Sequence, residues 1–165
     1  MQSIEISDIK PFMQLLFQTH QLDSYELVSA DIRTDMTYSI DGHIHAAFFS
    51  ADELSALSLE DKQYLPWAMA KEKIFHIIKG KKTPSILKIV LRVSAPQAEL
   101  LINSTNSSLN PNDIDGFFIN ILFQDRKLNV ICGISYQIFT MDKELELEFS
   151  ENIIAILKSN SIACQ

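Results

Sequence analysis

The residues best equipped for chemistry are Asp41-Gly42-His43-Ile44-His45. On an extended strand Asp41, His43 and His45 point the same way, and a carboxylate with two imidazoles suits zinc or iron. Asp41-Gly42 also reads as a turn, which breaks that alignment. His20 and His76 stand at no recognisable ligand spacing. Surface-loop histidines are the simpler reading. A metal-dependent hydrolase using Asp41, His43 and His45 is the alternative.

Other catalytic patterns are weak. Gly133-Ile134-Ser135-Tyr136-Gln137 lacks the second glycine of a nucleophile elbow. Cys132 lies in an apolar, strand-like run, where burial raises a thiol pKa and lowers its reactivity. Asp31 and Asp35, or the glutamates at 144, 146, 148 and 151, could pair for acid–base work. The glutamates read more simply as a solvated helix face. Four glycines in the whole chain are too few for a Gly-rich cofactor loop, so no cofactor is expected.

The strongest compositional signal is charge. The chain carries a net charge of −7, yet residues 71–92 hold Lys71, Lys73, Lys79, Lys81, Lys82, Lys88 and Arg92 against Glu72 alone. That is a local +6, leaving −13 for the rest. Lys79-Gly80-Lys81-Lys82-Thr83 resembles the Gly-Lys-Thr ending of a phosphate loop. Phe75 stands where its first glycine is needed, and a helix precedes where a strand should. Lys79, Lys81 and Lys82 instead follow a helix C-terminus, where cations offset the macrodipole. Lys88 and Arg92 share one strand face. With the basic turn beside them, these five residues are the expected contact surface for an anionic ligand or an acidic protein partner.

The elements that must position these residues follow from periodicity. Ile4 to Ile6 forms a short strand. Ser7 then caps a helix with Ile9, Phe12, Met13, Leu16 and Phe17 on one stripe. Strands are expected over 25–33, 36–40 and 43–49. Ser50 to Glu53 is a capping box opening a short helix. A longer helix starts near Pro66, carries Trp67, Ala70, Ile74, Ile77 and Ile78 inward, and stops at Gly80. Residues 86–93 form the clearest strand, with Leu87, Ile89, Leu91 and Val93 facing the core. Ser94 to Gln97 is a second capping box, leading into a helix with Ala98, Leu101 and Ile102 inward. Strands over 117–123 and 128–131 follow. Residues 134–139 are a further strand, or a continuation past a bulge at Gly133. Asp142 caps a last helix with Leu145, Phe149, Ile153, Ile156 and Leu157 on one face.

This order gives an α+β fold. Two βαβββ half-repeats build a largely antiparallel sheet with helices on one side. Residues 1–165 form a single domain: a half-repeat at 1–50, a helical connector at 51–83, a half-repeat at 84–141 and a C-terminal helix at 142–159. Phe48-Phe49 and Phe117-Phe118 each place one ring on either strand face. The outer ring needs cover from a helix or from a second subunit, which points to homo-oligomers. No apolar run is long enough to span a membrane. The opening residues lack the pattern of a signal peptide, and Cys132 and Cys164 read as free thiols. A cytoplasmic location is expected.

Two resemblances add to this. Trp67…Ile77-Ile78-Lys79-Gly80-Lys81-Lys82-Thr83-Pro84…Lys88-Ile89-Val90, with Ile138-Phe139-Thr140-Met141-Asp142, resembles a family of short proteins from Clostridia and relatives. That family is a domain of unknown function and implies no activity. The repeated strand–helix–strands order is similar to one domain of a DNA sliding clamp, whose helices face DNA. That resemblance implies DNA-facing helices near 8–19 and 95–104. The first offers only Lys10, and 96–104 has no Lys or Arg. Tracking phosphates needs several cations, so nucleic acid is not the favoured partner. The leading expectation is a non-catalytic binding or scaffolding module using Lys79, Lys81, Lys82, Lys88 and Arg92.

Overall fold

The computed structural model describes residues 1–165 and is α+β, with helices on one side of an antiparallel sheet. The strands are β1 (Gln2–Ile6), β2 (Glu26–Arg33), β3 (Thr37–Asp41), β4 (Leu65–Pro66), β5 (Ile86–Arg92), β6 (Ile114–Gln124) and β7 (Lys127–Tyr136). The helices are α1 (Ile9–Gln18), α2 (Ala51–Ala56), α3 (Trp67–Ile78), α4 (Ala95–Asn103) and α5 (Glu144–Ser159). The sheet runs β1-β7-β6-β5-β2-β3, with β4 pairing β2 beyond the end of β3. The two halves are interleaved: β1 pairs with β7 of the second half, and β5 joins β2 to β6.

Alternation along β5 sets the two faces. Leu87, Ile89 and Leu91 are fully buried, while Lys88 is exposed and Val90 half-buried. One register row of the outer face reads Ser39, Asp31, Lys88, Leu122, Asn129, Glu5 across six strands. The inner face packs against the apolar stripes of α1, α3, α4 and α5 in one core, with Trp67, Phe117 and Phe149 among its largest enclosed side chains. Burying such side chains contributes about 1.5–3 kcal/mol each. The C-terminal segment closes part of the β1 edge, since Glu5 and Gln165 exchange backbone hydrogen bonds of 2.9 Å.

The antiparallel sheet, the one-sided helices and the C-terminal helix agree with the sequence reading. The third strand expected in each half is not formed, so each half is βαββ. After Gly42 the chain makes an isolated bridge from His43 to Tyr64 and a 3-10 turn at Ala46–Phe48. The cause is competition for an edge. β3 pairs β2 at residues 29–33, but β4 takes the same edge at Glu26 and Leu27. A longer β3 would find no partner there. In the second half, residues 134–136 simply end β7, and the irregularity lies in β6 between Ile114 and Gly116.

The caps divide similarly. Ser50 and Glu53 form both bonds of a capping box, at 3.1 and 3.0 Å. Ser94 sits at the N-cap of α4 without a side-chain cap bond. Asp8, not Ser7, is the α1 N-cap, and its carboxylate accepts from the Ala163 N–H at 2.8 Å instead. Lys143, not Asp142, is the α5 N-cap, and Asp142 just before it accepts from the Glu144 N–H at 2.9 Å. That bond, helped by the Ser107 hydroxyl, holds its carboxyl below the usual range. Gly80 ends α3 with φ +148°, a conformation that essentially only glycine adopts.

Candidate binding groove

Helices α1 and α3 are pinned together before they form a site. The Trp67 indole N–H donates to the Leu16 carbonyl at 2.8 Å, and its ring lies 5.5 Å from that of Phe17. The Lys71 ammonium donates to the Thr19 carbonyl at 2.9 Å and to Asp23 at 2.6 Å. A cation at the end of α1 also offsets its dipole. Burial pushes the Asp23 carboxyl up, but Lys71, and after it His20, draws it below its ordinary value.

At the other end of this helix pair, α1 and the turn after α3 enclose an open groove of about 380 Å³. Met13, Phe17, Phe75 and Ile78 supply its apolar surface, and Lys10, Lys79 and Lys82 also line it. Phe17 and Phe75 are in contact, 5.6 Å between centroids. None of these three lysines forms an ion pair, in contrast to Lys62 and Lys71. Gln14 and Gln18 extend the α1 wall from Lys10 at helical spacing. Three free cations above an aromatic and aliphatic floor can hold carboxylates while burying an apolar side chain.

The five cations of the 79–92 run therefore divide. Lys79 and Lys82 line the groove with Lys10, and Lys81 is exposed in the adjoining turn. Lys88 stands on the outer sheet face, across from Asp31 in the register. Arg92 lies further along that face and donates to the Asp115 carbonyl at 2.6 Å. Gly116 makes room for it: a β-carbon there would come within 2.7 Å of the guanidinium Nε. Arg92 thus fastens the irregular start of β6. In the sequence Lys10 stands out only as the single cation of its helix. The Lys10-Gln14-Gln18 stripe was the available signal, but its meeting with Lys79 depends on tertiary packing.

The histidine motif is brought together in part. Asp41 Oδ1 lies 2.6 Å from His43 Nδ1 and accepts the His43 backbone N–H at 2.9 Å. The backbone bond first, then the ring, holds the Asp41 carboxyl below its usual range. The amide of Gln63 stands 3.4 Å from His43 Nε2, and Tyr64 packs on the ring at 4.6 Å. His45 starts the 3-10 turn and forms no bond to either. No three His, Cys, Asp or Glu side chains in the chain converge where they could hold a metal. Cys132 is buried and carries a thiol pKa pushed up to about 11 by that burial, partly offset by the Ser150 hydroxyl.

Fold and groove together define an α+β protein whose sheet is covered by helices on one side and whose unpaired lysines gather where two of those helices meet. The chain belongs to the family of unknown function DUF5721, whose family model matches residues 14–165. No curated protein and no solved structure matches it. No helix is long and apolar enough to cross a membrane.

Proposed function

We propose that this chain is a non-catalytic binding module that engages an acidic segment of a protein partner in the groove between α1 and the α3 turn. One observation carries this reading: Lys10, Lys79 and Lys82 converge without ion-pair partners around Met13, Phe17, Phe75 and Ile78. Unpaired cations attract carboxylates, and the apolar floor offers area that a carboxylate alone cannot use. The floor favours a peptide with apolar side chains over a phosphate backbone, which rewards cations alone. The net charge of −7 also opposes broad nucleic-acid binding. Lys81 and Lys88, outside the groove, contribute at longer range.

Calorimetric titration with a short peptide alternating Glu with Phe and Leu tests the reading. Saturable binding that weakens with added salt is expected, because these exposed charges are screened over about 10 Å at 0.1 M ionic strength. Absence of saturable binding to this peptide, with tight binding to single-stranded DNA, would replace it with a nucleic-acid reading.

A further inference from the structure

A second groove has the opposite chemistry. It lies between α4 and α5, beside the connection from α1 to β2, and encloses about 510 Å³. Leu101, Phe149, Ile153 and Ile156 form its sides, with Leu100 at the rim, where it stays 69% exposed. Glu148 is the one charged side chain lining it, and no cation reaches it. Pockets of this size suit small organic molecules.

The floor includes Tyr25, which is only 7% exposed. Its backbone is fully engaged: the N–H donates to Leu22, and the carbonyl accepts from Trp67 at 2.7 Å. Its hydroxyl has no hydrogen bond to the protein. Among enclosed side-chain polar atoms, Tyr136 Oη alone lacks a partner, so the Tyr25 hydroxyl is not sealed in the core, and Tyr25 lines this groove. A hydroxyl with no protein partner is free to donate to a bound molecule, a bond worth roughly 0.5–1.5 kcal/mol. A void of about 20 Å³, lined by ten apolar residues, shares Ile153 and Ile156 with the groove. The walls of this void under α5 are wholly apolar.

We infer that the α4–α5 groove is a binding site for a small, uncharged, largely apolar molecule with one hydrogen-bond acceptor, to which the Tyr25 hydroxyl donates. An anion would meet Glu148 and no cation. A cation would lose its hydration against largely apolar walls for one partly exposed carboxylate. This site is independent of the lysine groove.

The probe is Nile red, a neutral apolar dye with a carbonyl acceptor, titrated against the full chain and followed by fluorescence. Saturable one-to-one binding is expected. Asn152→Trp, from the exposed rim of α5, should plug the groove and weaken binding by more than about tenfold; Gln97→Trp on α4 does the same if the first variant fails to fold. Tyr25→Phe should weaken it by about fivefold, the share of one neutral hydrogen bond, while leaving the melting temperature level or higher. No saturable binding to the wild type, or binding unchanged by the plug or by Tyr25→Phe, overturns the inference. So does tighter binding of the anionic dye anilinonaphthalene sulfonate.

Discussion

The carbonyl oxygen of Leu27 occupies the space that a side chain at position 42 would need. A β-carbon on Gly42 would stand 1.8 Å from it and 2.6 Å from the carbonyl carbon. Gly42 also donates to the Val28 carbonyl and accepts from the Leu65 N–H, both at 2.9 Å. It is the point where β3 hands the β2 edge to β4. Because backbone cannot yield as a side-chain tip can, Gly42→Ala should cost at least about 3 kcal/mol, at the upper end for overpacking. Urea unfolding checks this; a loss under about 1 kcal/mol would show that the crossing relaxes freely.

The hairpin between β6 and β7 predicts a gain. Asp125 and Arg126 form its two-residue loop with φ of 52° and 63°. Non-glycine residues adopt this region at a cost, and glycine suits the second position of such a turn. Arg126→Gly should raise stability by about 0.5–1 kcal/mol, read as a higher melting temperature.

The ion pair of Asp23 and Lys71 predicts a loss with an acid signature. Lys71→Met should remove about 1–2 kcal/mol, since it leaves the partly buried Asp23 carboxylate with His20 alone and the Thr19 carbonyl unpaired. The Asp23 pKa is lowered in the folded chain. Its contribution is therefore present above the ordinary carboxyl pKa of 3.8 and is lost as pH falls through the lower folded value. The stability difference between wild type and Lys71→Met should narrow below about pH 4.

At high pH the sign reverses. Burial pushes Tyr25 up to about 12, with Cys132 adding to it, and pushes Cys132 up to about 11, against ordinary values of 10.0 and 9.0. The folded chain keeps protons that the unfolded chain releases. Stability should be full below about pH 9 and fall from there towards pH 12, by at most about 1.4 kcal/mol per pH unit for each group. Tyr25→Phe and Cys132→Ala should each flatten that decline in denaturant melts.

Local pattern made much of this fold legible. Strand β5 and its two faces follow from strict alternation over residues 86–93, and the end of α3 follows from Gly80 and Pro84. Ser50 and Glu53 show their capping box in the residues alone. What escaped depends on competition and on packing. His43 to Phe49 has strand-like composition, yet β4 already holds the edge it would need. Ser94 has a capping residue's type, but its side chain makes no cap bond. Of the lysine groove, the half after α3 could be read from charge, whereas Lys10 joins it only through the Trp67–Leu16 and Phe17–Phe75 contacts. Spacing gives no hint of Tyr25 beneath α4 and α5.

We propose that Lys10, Lys79 and Lys82 act together as a contact surface. Isotope-labelled chain titrated with the Glu/Phe/Leu peptide should show amide shifts concentrated at Lys10, Gln14, Gln18, Lys79 and Thr83. Charge reversal at all three lysines, Lys10→Glu, Lys79→Glu and Lys82→Glu, should abolish those shifts while leaving the spectrum of the core intact. Shifts confined to the outer face around Lys88 and Arg92, or unchanged by the triple reversal, would contradict it.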